Sequence, residues 1–125
     1  MNLQTYQVSS ESYTGGAHGM YYSIPYIIDM KTGVIVTEND LFKPGYVPPV
    51  TVLIKDRLEQ EQGTLAFEGM YQEGMVPNGK CGVSMNGVTW YYQPYEIASY
   101  AEGIIEVTVA WSNLRPYLNP GYSEF

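Results

Sequence analysis

The sequence predicts an α+β domain: a mostly antiparallel sheet built from hairpins, with one main helix at about residues 49–62 packed on one face. Glycine and proline recur at short intervals, which is typical of β-structure with tight turns. One segment alone combines helical apolar spacing with proline before it and glycine after it. The 125 residues, 45% apolar and 15% charged, are enough for a single core and the length of one domain.

The first part of the chain predicts two strands and a hairpin. Residues 3–13 alternate in the manner of a strand, although their apolar signal is weak. Residues 20–30 form a strongly apolar strand, and Pro25 places it at an edge or a bulge because proline has no amide donor. Residues 29–33 predict a turn with Gly33 at positive φ, and residues 34–36 predict the return strand.

A short helical turn and the main helix are expected next. Asn39 or Asp40 is expected to cap a turn that carries Leu41 and Phe42. The main helix should end before Gly63. Four apolar residues share its inner face: Val50, Leu53, Ile54 and Leu58. For residues 64–71 the sequence leaves a strand and an irregular segment open, and residues 72–80 predict a loop.

The last third of the chain predicts a second hairpin and a final strand. Asn86-Gly87 is expected to form a type I′ turn between residues 83–85 and 88–92, since both turn positions require positive φ. Residues 104–111 alternate as the last strand, with its apolar side chains on one face. Ser112 is expected to cap a short helical segment over residues 113–118.

Charge argues against several classes of partner. The net charge is −7, and the four lysines and two arginines are scattered, with no two adjacent. Nucleic acid and anionic membrane surfaces need clustered cations and are therefore disfavoured. An acidic domain attracts basic partners, although acidity is also a common source of solubility. The lone Cys81 cannot form an internal disulfide, and no apolar run is long enough for a membrane span.

Two segments could carry chemistry, and each also has a structural interpretation. His18 stands in a glycine-rich bend, either as a catalytic group or as a hydrogen-bonded structural residue. Glu96 and Glu102 lie in a tyrosine-rich connection, where they could act as a pair of hydrolytic carboxylates. The structural interpretation is a crossover whose tyrosine rings pack it onto the sheet. No phosphate loop, calcium loop, metal site or cofactor site is predicted.

Three motifs follow one another along the chain. The first is Tyr13-Thr14-Gly15-Gly16-Ala17-His18-Gly19; the second is Asp29-Met30-Lys31-Thr32-Gly33 followed by Asp40-Leu41-Phe42; the third is Pro94-Tyr95-Glu96-Ile97-Ala98-Ser99-Tyr100-Ala101-Glu102-Gly103. Together they resemble, in the same order and over most of the chain, the motifs of a bacterial envelope-domain family that includes the C-terminal domain of the lysozyme-binding anti-sigma factor RsiV.

The resemblance implies an α+β fold, an extracytoplasmic location and no known catalytic activity. An additional domain often precedes this one in the family, so the chain is expected to be either a piece of a longer protein or a lone-domain variant. It implies a binding function, with a basic, lysozyme-like protein or a cell-wall glycan as partner. The candidate ligand-binding or motif residues are Tyr13, Gly15, Gly16, His18, Tyr95, Glu96 and Tyr100. The alternatives are a hydrolase of envelope polysaccharide that uses His18 and Glu96, and a purely structural spacer.

Overall fold

The computed structural model describes residues 2–12, 20–99 and 102–123. The elements in this part of the chain are β1 (Leu3–Ser12), β2 (Met20–Asp29), β3 (Ile35–Val36), α1 (Glu38–Leu41), α2 (Val47–Gln62), α3 (Thr64–Glu68), β4 (Cys81–Val83), β5 (Gly87–Tyr92), β6 (Ile105–Ala110) and α4 (Trp111–Leu114), with 3₁₀ turns at Gln72–Gly74, Arg115–Tyr117 and Pro120–Tyr122. The predicted α+β class is confirmed. The strands form two three-stranded antiparallel sheets, ordered β1-β2-β3 and β4-β5-β6.

The first sheet is a long hairpin with a short third strand. β1 and β2 pair in an unbroken register from Leu3 opposite Asp29 to Ser12 opposite Met20. β3 pairs with β2 only at Ile27 and Ile28. At Pro25, β2 therefore has a strand neighbour on one side only, so the missing amide donor interrupts no ladder. The prediction of an edge or bulged strand was wrong for β2 as a whole, because β2 is the central strand and its register is unbroken; Pro25 is accommodated because β3 is too short to pair with it.

The cap of α1 is Thr37, and the prediction of Asn39 or Asp40 was wrong. The Thr37 hydroxyl accepts a hydrogen bond from the Asp40 amide, and the Asp40 carboxylate accepts one from the Thr37 amide, which makes a reciprocal capping box. The Asp40 carboxylate also accepts a hydrogen bond from the Thr37 hydroxyl at 3.0 Å. The bonds that it accepts from the Thr37 amide and hydroxyl lower the pKa of the Asp40 carboxyl group. Asp40 thus supports the helix start from its third position.

The main helix, α2, covers the second sheet. It begins at Val47, slightly before the predicted start, and ends at Gln62, where Gly63 adopts a φ of 87°. Val50, Ile54 and Leu58 are fully buried, as their spacing predicts, and α2 packs against β6. The segment after it, Thr64–Glu68, is the short helix α3, whereas the sequence had suggested a strand or an irregular segment.

The second hairpin is confirmed, but its predicted turn type was wrong. Among the described non-glycine residues only Tyr95 has a positive φ, so Asn86 does not occupy a type I′ position. Instead the Ser84 hydroxyl accepts a hydrogen bond from the Asn86 amide. Gly87 belongs to β5, with a φ of 152°. The later prediction of a Ser112 cap was also wrong, because α4 begins at Trp111 after Ala110.

The core lies between the second sheet and α2. Cross-strand pairing places three β5 side chains and three β6 side chains on one face: Val88, Trp90, Tyr92, Ile105, Val107 and Val109. Phe42, which follows α1, stacks against both Tyr46 and Trp90, with ring centroids 4.9 and 5.9 Å apart. Burial of these rings together with the aliphatic side chains of the core stabilises the fold.

Side chains join the two sheets where no backbone ladder does. The Thr5 hydroxyl donates to the Val83 carbonyl at 3.0 Å and accepts from the Val83 amide at 2.7 Å. The Gln93 carboxamide makes the same pair of bonds with the Ser23 backbone, at 2.9 and 2.8 Å. Gly82 permits the close approach, since a β-carbon there would lie 2.6 Å from the Thr5 side chain. These contacts hold the inner face of the first sheet against β4 and β5.

Candidate functional site

Most residues of the sequence-predicted site lie outside the described residues. Those are Tyr13, Gly15, Gly16, His18 and Tyr100. Tyr95 and Glu96 are described, and both belong to the turn formed by residues 93–96. The predicted meeting of His18 with Glu96 therefore stays a prediction.

The carboxylate of Glu96 closes this turn. Its Oε1 accepts a hydrogen bond from the Gln93 amide at 2.9 Å, and its Oε2 accepts one from Asn78 Nδ2 at 3.3 Å. The Glu96 amide in turn donates to the Gln93 carbonyl at 3.1 Å. Because Gln93 also holds Ser23 of the first sheet, Glu96 fixes the residue that links the sheets.

Tyr95 has a strained backbone. With Pro94 second and a φ of 74° at Tyr95, residues 93–96 match a type II turn, whose third position favours glycine. The Tyr95 side chain is nevertheless 59% exposed. The left-handed conformation costs a residue with a β-carbon about 1–2 kcal/mol, so this turn stores strain at an aromatic residue on the surface.

Replacing Tyr95 with glycine is expected to raise the free energy of unfolding by about 0.5 kcal/mol, because relief of strain exceeds the added flexibility of the unfolded chain. Tyr71 is a matched control, since it is a half-exposed tyrosine at a φ of −82°. Tyr71→Gly is expected to lower stability by about 1 kcal/mol. Urea unfolding of both variants measures the difference, and an equal loss in the two would contradict the assigned strain.

A buried carboxylate, which the sequence analysis did not single out, lies in the core. Glu38 is only 7% exposed, and its carboxylate accepts hydrogen bonds from three groups. The donors are Trp90 Nε1 at 2.7 Å, the Gly79 amide at 3.1 Å and the Tyr46 hydroxyl. Every donor belongs to a different segment of the chain, so this carboxylate ties α1 to β5 and to the loop before β4.

The groups around Glu38 keep their protons. Burial raises the pKa of the Tyr46 hydroxyl, and the hydrogen bond to Glu38 raises it further. Burial, followed by the charge of Glu38, also raises the pKa of the Cys81 thiol and of the Tyr92 hydroxyl. A neutral, enclosed thiol is a poor nucleophile. The arrangement therefore serves packing and hydrogen bonding in the core.

The first sheet leaves one broad surface open to solvent, which we call the outer face. Cross-strand pairs place its members on the same side: Gln4 with Ile28, Tyr6 with Tyr26, Val8 with Ile24, and Ile28 with Ile35, together with Tyr22. Five of its seven apolar side chains are between 38% and 56% exposed. None of these eight residues is charged. From Tyr22 to Ile28 the face runs for about 20 Å at 3.3 Å per residue.

A separate groove lies outside the outer face, and its lining is different. A groove of about 640 Å³ runs between α2 and β6. Polar side chains line much of it, and two of them, Arg57 and Glu61, form an ion pair at 3.1 Å. Within the described ranges, no group of three or more metal-ligating side chains is arranged to hold an ion. Nor is any helix in these ranges long and apolar enough to cross a membrane.

Comparison with known proteins gives the family. The model of a family described as "Protein of unknown function (DUF3298)" matches residues 39–112, more than half of the chain. A search of the curated proteins found no match.

Two solved structures have the same fold. One is a member of the DUF3298 family from Bacteroides fragilis NCTC 9343, at 25% identity and a TM-score of 0.85, covering 94% of this chain and 49% of its own. The other is a DUF3298 family protein from Pseudomonas aeruginosa PAO1, at 20% identity and a TM-score of 0.77, covering 97% of this chain and 57% of its own. The chain thus spans about half the length of these two proteins, and it belongs to the DUF3298 family.

Proposed function

We propose that this domain is a non-catalytic, extracytoplasmic binding module that recognises a basic protein through its outer face. The open, uncharged surface of tyrosine, isoleucine and valine on the first sheet carries the proposal. Centres of protein–protein interfaces are enriched in aromatic residues and depleted in charge, and contiguous exposed apolar surface commonly marks a binding site. A sheet also holds such side chains in fixed positions, which reduces the entropy lost on binding.

The charge of the domain favours a basic partner. The net charge is −7, and none of the eight outer-face residues is charged, so no carboxylate interrupts that face. The negative charge of the domain speeds the approach of a cationic protein, and the apolar face makes the contact. The resemblance to the lysozyme-binding anti-sigma factor domain makes lysozyme the first basic protein to test, and it also supplies the proposed extracytoplasmic location.

Titration calorimetry with lysozyme tests the proposal, using the double variant Tyr6→Ser, Tyr26→Ser. Removing this cross-strand pair is expected to weaken binding at least about tenfold, because central aromatic residues dominate interface energies. Leu65→Ser is the matched control, since Leu65 is 85% exposed on α3 and lies outside the outer face. It should change affinity less than about twofold.

Raising the salt concentration from 0.05 to 0.5 M should weaken the wild-type interaction as the charges are screened. Absence of heat with lysozyme, or equal effects of the double variant and Leu65→Ser, would refute this form of the proposal.

A glycan is the second candidate, favoured by the three exposed tyrosines of the outer face, Tyr6, Tyr22 and Tyr26. Their rings are amphipathic and could stack on sugar rings. Soluble peptidoglycan fragments, titrated in the same calorimeter, distinguish the two candidates. Binding of the fragments without binding of lysozyme, and its loss in the double variant, would assign the face to a glycan.

The hydrolase alternative, with His18 and Glu96, has less support. Both carboxylate oxygens of Glu96 are already engaged, by the Gln93 amide and by Asn78. A general acid or base must be able to reach its substrate, whereas the Glu96 carboxylate is held by hydrogen bonds within the domain.

A further inference from the structure

Among the strands that the structure describes, β1 is the outermost of the first sheet, and it pairs with β2 along one side only. We propose that its open side receives an extended, basic segment of the partner protein, which adds as a fourth strand. This inference rests on the proposed function and specifies how the partner is held. Strand addition of this kind gains affinity from main-chain hydrogen bonds and specificity from alternate side chains.

The pairing pattern identifies the free backbone groups of β1. The Met30 amide donates to the Asn2 carbonyl at 2.7 Å, which marks a hydrogen-bonded pair at the end of the ladder. Bonded and non-bonded pairs alternate along an antiparallel ladder. Gln4, Tyr6 and Val8 therefore bond to β2. The residues whose backbone groups point to the open side are Leu3, Thr5, Gln7 and Ser9.

The opposite strand confirms this alternation. Ser23 and Asp29, which oppose Ser9 and Leu3, direct their backbone groups away from β1. The Asp29 amide bonds to the Val34 carbonyl, and the Ser23 backbone bonds to the Gln93 side chain. Pro25, opposite Gln7, has no amide donor to direct toward β1. Both edges of the hairpin thus show the same two-residue period.

Within the described residues, the open side of β1 lacks the features that usually block an edge strand. Natural edge strands are shortened, bulged, or protected by proline and charged side chains. β1 is ten residues long, its register with β2 is unbroken, and residues 3–10 contain neither proline nor charge. Two hydrogen bonds to the second sheet also hold β1 in position. The Thr5 hydroxyl donates to the Val83 carbonyl, and the Gln7 side-chain amide donates to the Tyr91 hydroxyl at 2.6 Å. The edge is therefore held in place before a partner arrives.

The negative charge of the domain favours a basic partner segment over a second copy of this chain. A second copy of this chain would carry the same charge of −7, so pairing between copies works against electrostatic repulsion. Every second side chain of a docked strand would lie beside Tyr6 and Val8 on the outer face, so apolar residues fit those positions. The remaining side chains would point toward the face of the second sheet that carries Tyr91 and the exposed carboxylate of Glu106. Alternating apolar and Lys or Arg residues fit both sides.

Hydrogen exchange of the wild-type domain, measured by NMR with and without lysozyme, tests the inference. Binding is expected to slow exchange at least about tenfold at the amides of Thr5, Gln7 and Ser9. Neighbouring amides that already bond to β2, such as those of Tyr6 and Val8, should change much less. If lysozyme binds and this alternation is absent, strand addition is wrong while the proposed binding function stands. If lysozyme does not bind, the proposed function fails, and the inference fails with it.

Ser9→Pro provides the matched perturbation. It removes the edge-directed donor at Ser9 without touching a β1–β2 hydrogen bond, and proline is tolerated on edge strands. Lysozyme affinity is expected to fall at least about tenfold in Ser9→Pro and less than about twofold in Ser9→Ala. Circular dichroism checks that both variants fold. If Ser9→Pro does not fold, the exchange pattern of the wild-type domain with lysozyme tests the inference by itself. Wild-type affinity in a folded Ser9→Pro variant would contradict the inference.

Discussion

Replacing Glu38 with alanine is expected to lower the free energy of unfolding by about 4 kcal/mol, a large share of the 5–15 kcal/mol typical of a domain. The carboxylate is buried and accepts hydrogen bonds from Trp90, Tyr46 and the Gly79 amide. Alanine would leave Trp90 Nε1 and the Gly79 amide without their acceptor, and the Tyr46 hydroxyl would keep only its longer bond to Asn39 Oδ1, at 3.3 Å. Guanidinium chloride unfolding, followed by tryptophan fluorescence, measures the loss directly.

Two control variants separate charge, shape and surface effects. Glu38→Gln keeps the shape and one acceptor oxygen, so about 2 kcal/mol of loss is expected. Glu59→Ala removes an exposed carboxylate from α2 and should change stability by less than about 0.5 kcal/mol. If Glu38→Ala were to cost less than 1 kcal/mol, as little as a typical surface change, the three-donor arrangement would be wrong.

Gly87→Ala is expected to destabilise the domain by about 3 kcal/mol. A β-carbon at this position would lie 2.0 Å from the carbonyl oxygen of Val109, and the backbone φ of 152° is strained for any residue with a side chain. The contact is with backbone inside the sheet, so relief requires β5 and β6 to separate locally. The midpoint of chemical denaturation measures the effect.

Asn86→Ala tests the same turn without the steric conflict. Asn86 does not occupy a positive-φ position, so its replacement should cost less than about 0.5 kcal/mol. A type I′ turn would produce a clear loss at Asn86 as well. Gly121→Ala is a second control, because no atom lies within 4 Å of the added carbon. Similar losses at Gly87 and Gly121 would contradict the close packing of β5 on β6.

Elements with strong local signals could be predicted from the sequence. In α2 the apolar spacing and the flanking proline and glycine agree, and Val50, Ile54 and Leu58 are buried as expected. β2 was predictable from its apolar run, although Pro25 indicated an edge strand and β2 is the central strand of its sheet. In each case the local pattern and the tertiary environment favour the same structure.

The missed elements have weak or competing signals. α3 has five residues after a glycine with positive φ, too few for helical periodicity to be visible. At α1, the polar residues Thr37, Asn39 and Asp40 could each have served as the cap. The three-dimensional structure shows that Thr37 does. For Asn86-Gly87, the glycine was needed for close approach to Val109, a contact between strands far apart in sequence.

The candidate site was largely beyond sequence reasoning. Alternation in β1 and β2 shows that each strand has two faces, but both faces carry apolar residues. Which face is covered depends on where β4 and β5 pack, and that is a tertiary property. Glu96 was singled out as a possible catalytic acid, yet its carboxylate holds a turn together. Glu38 gave no signal, since an acidic residue in the first turn of a helix is usually exposed.

The use of the Thr5, Gln7 and Gln93 side chains as links between the sheets has a consequence for how the molecule can vary. A continuous ladder fixes the tilt of neighbouring strands through many peptide groups at once. Here a few side-chain hydrogen bonds join the described parts of the two halves. Substitution at any of these three positions could therefore adjust how the halves meet while the internal geometry of each is preserved.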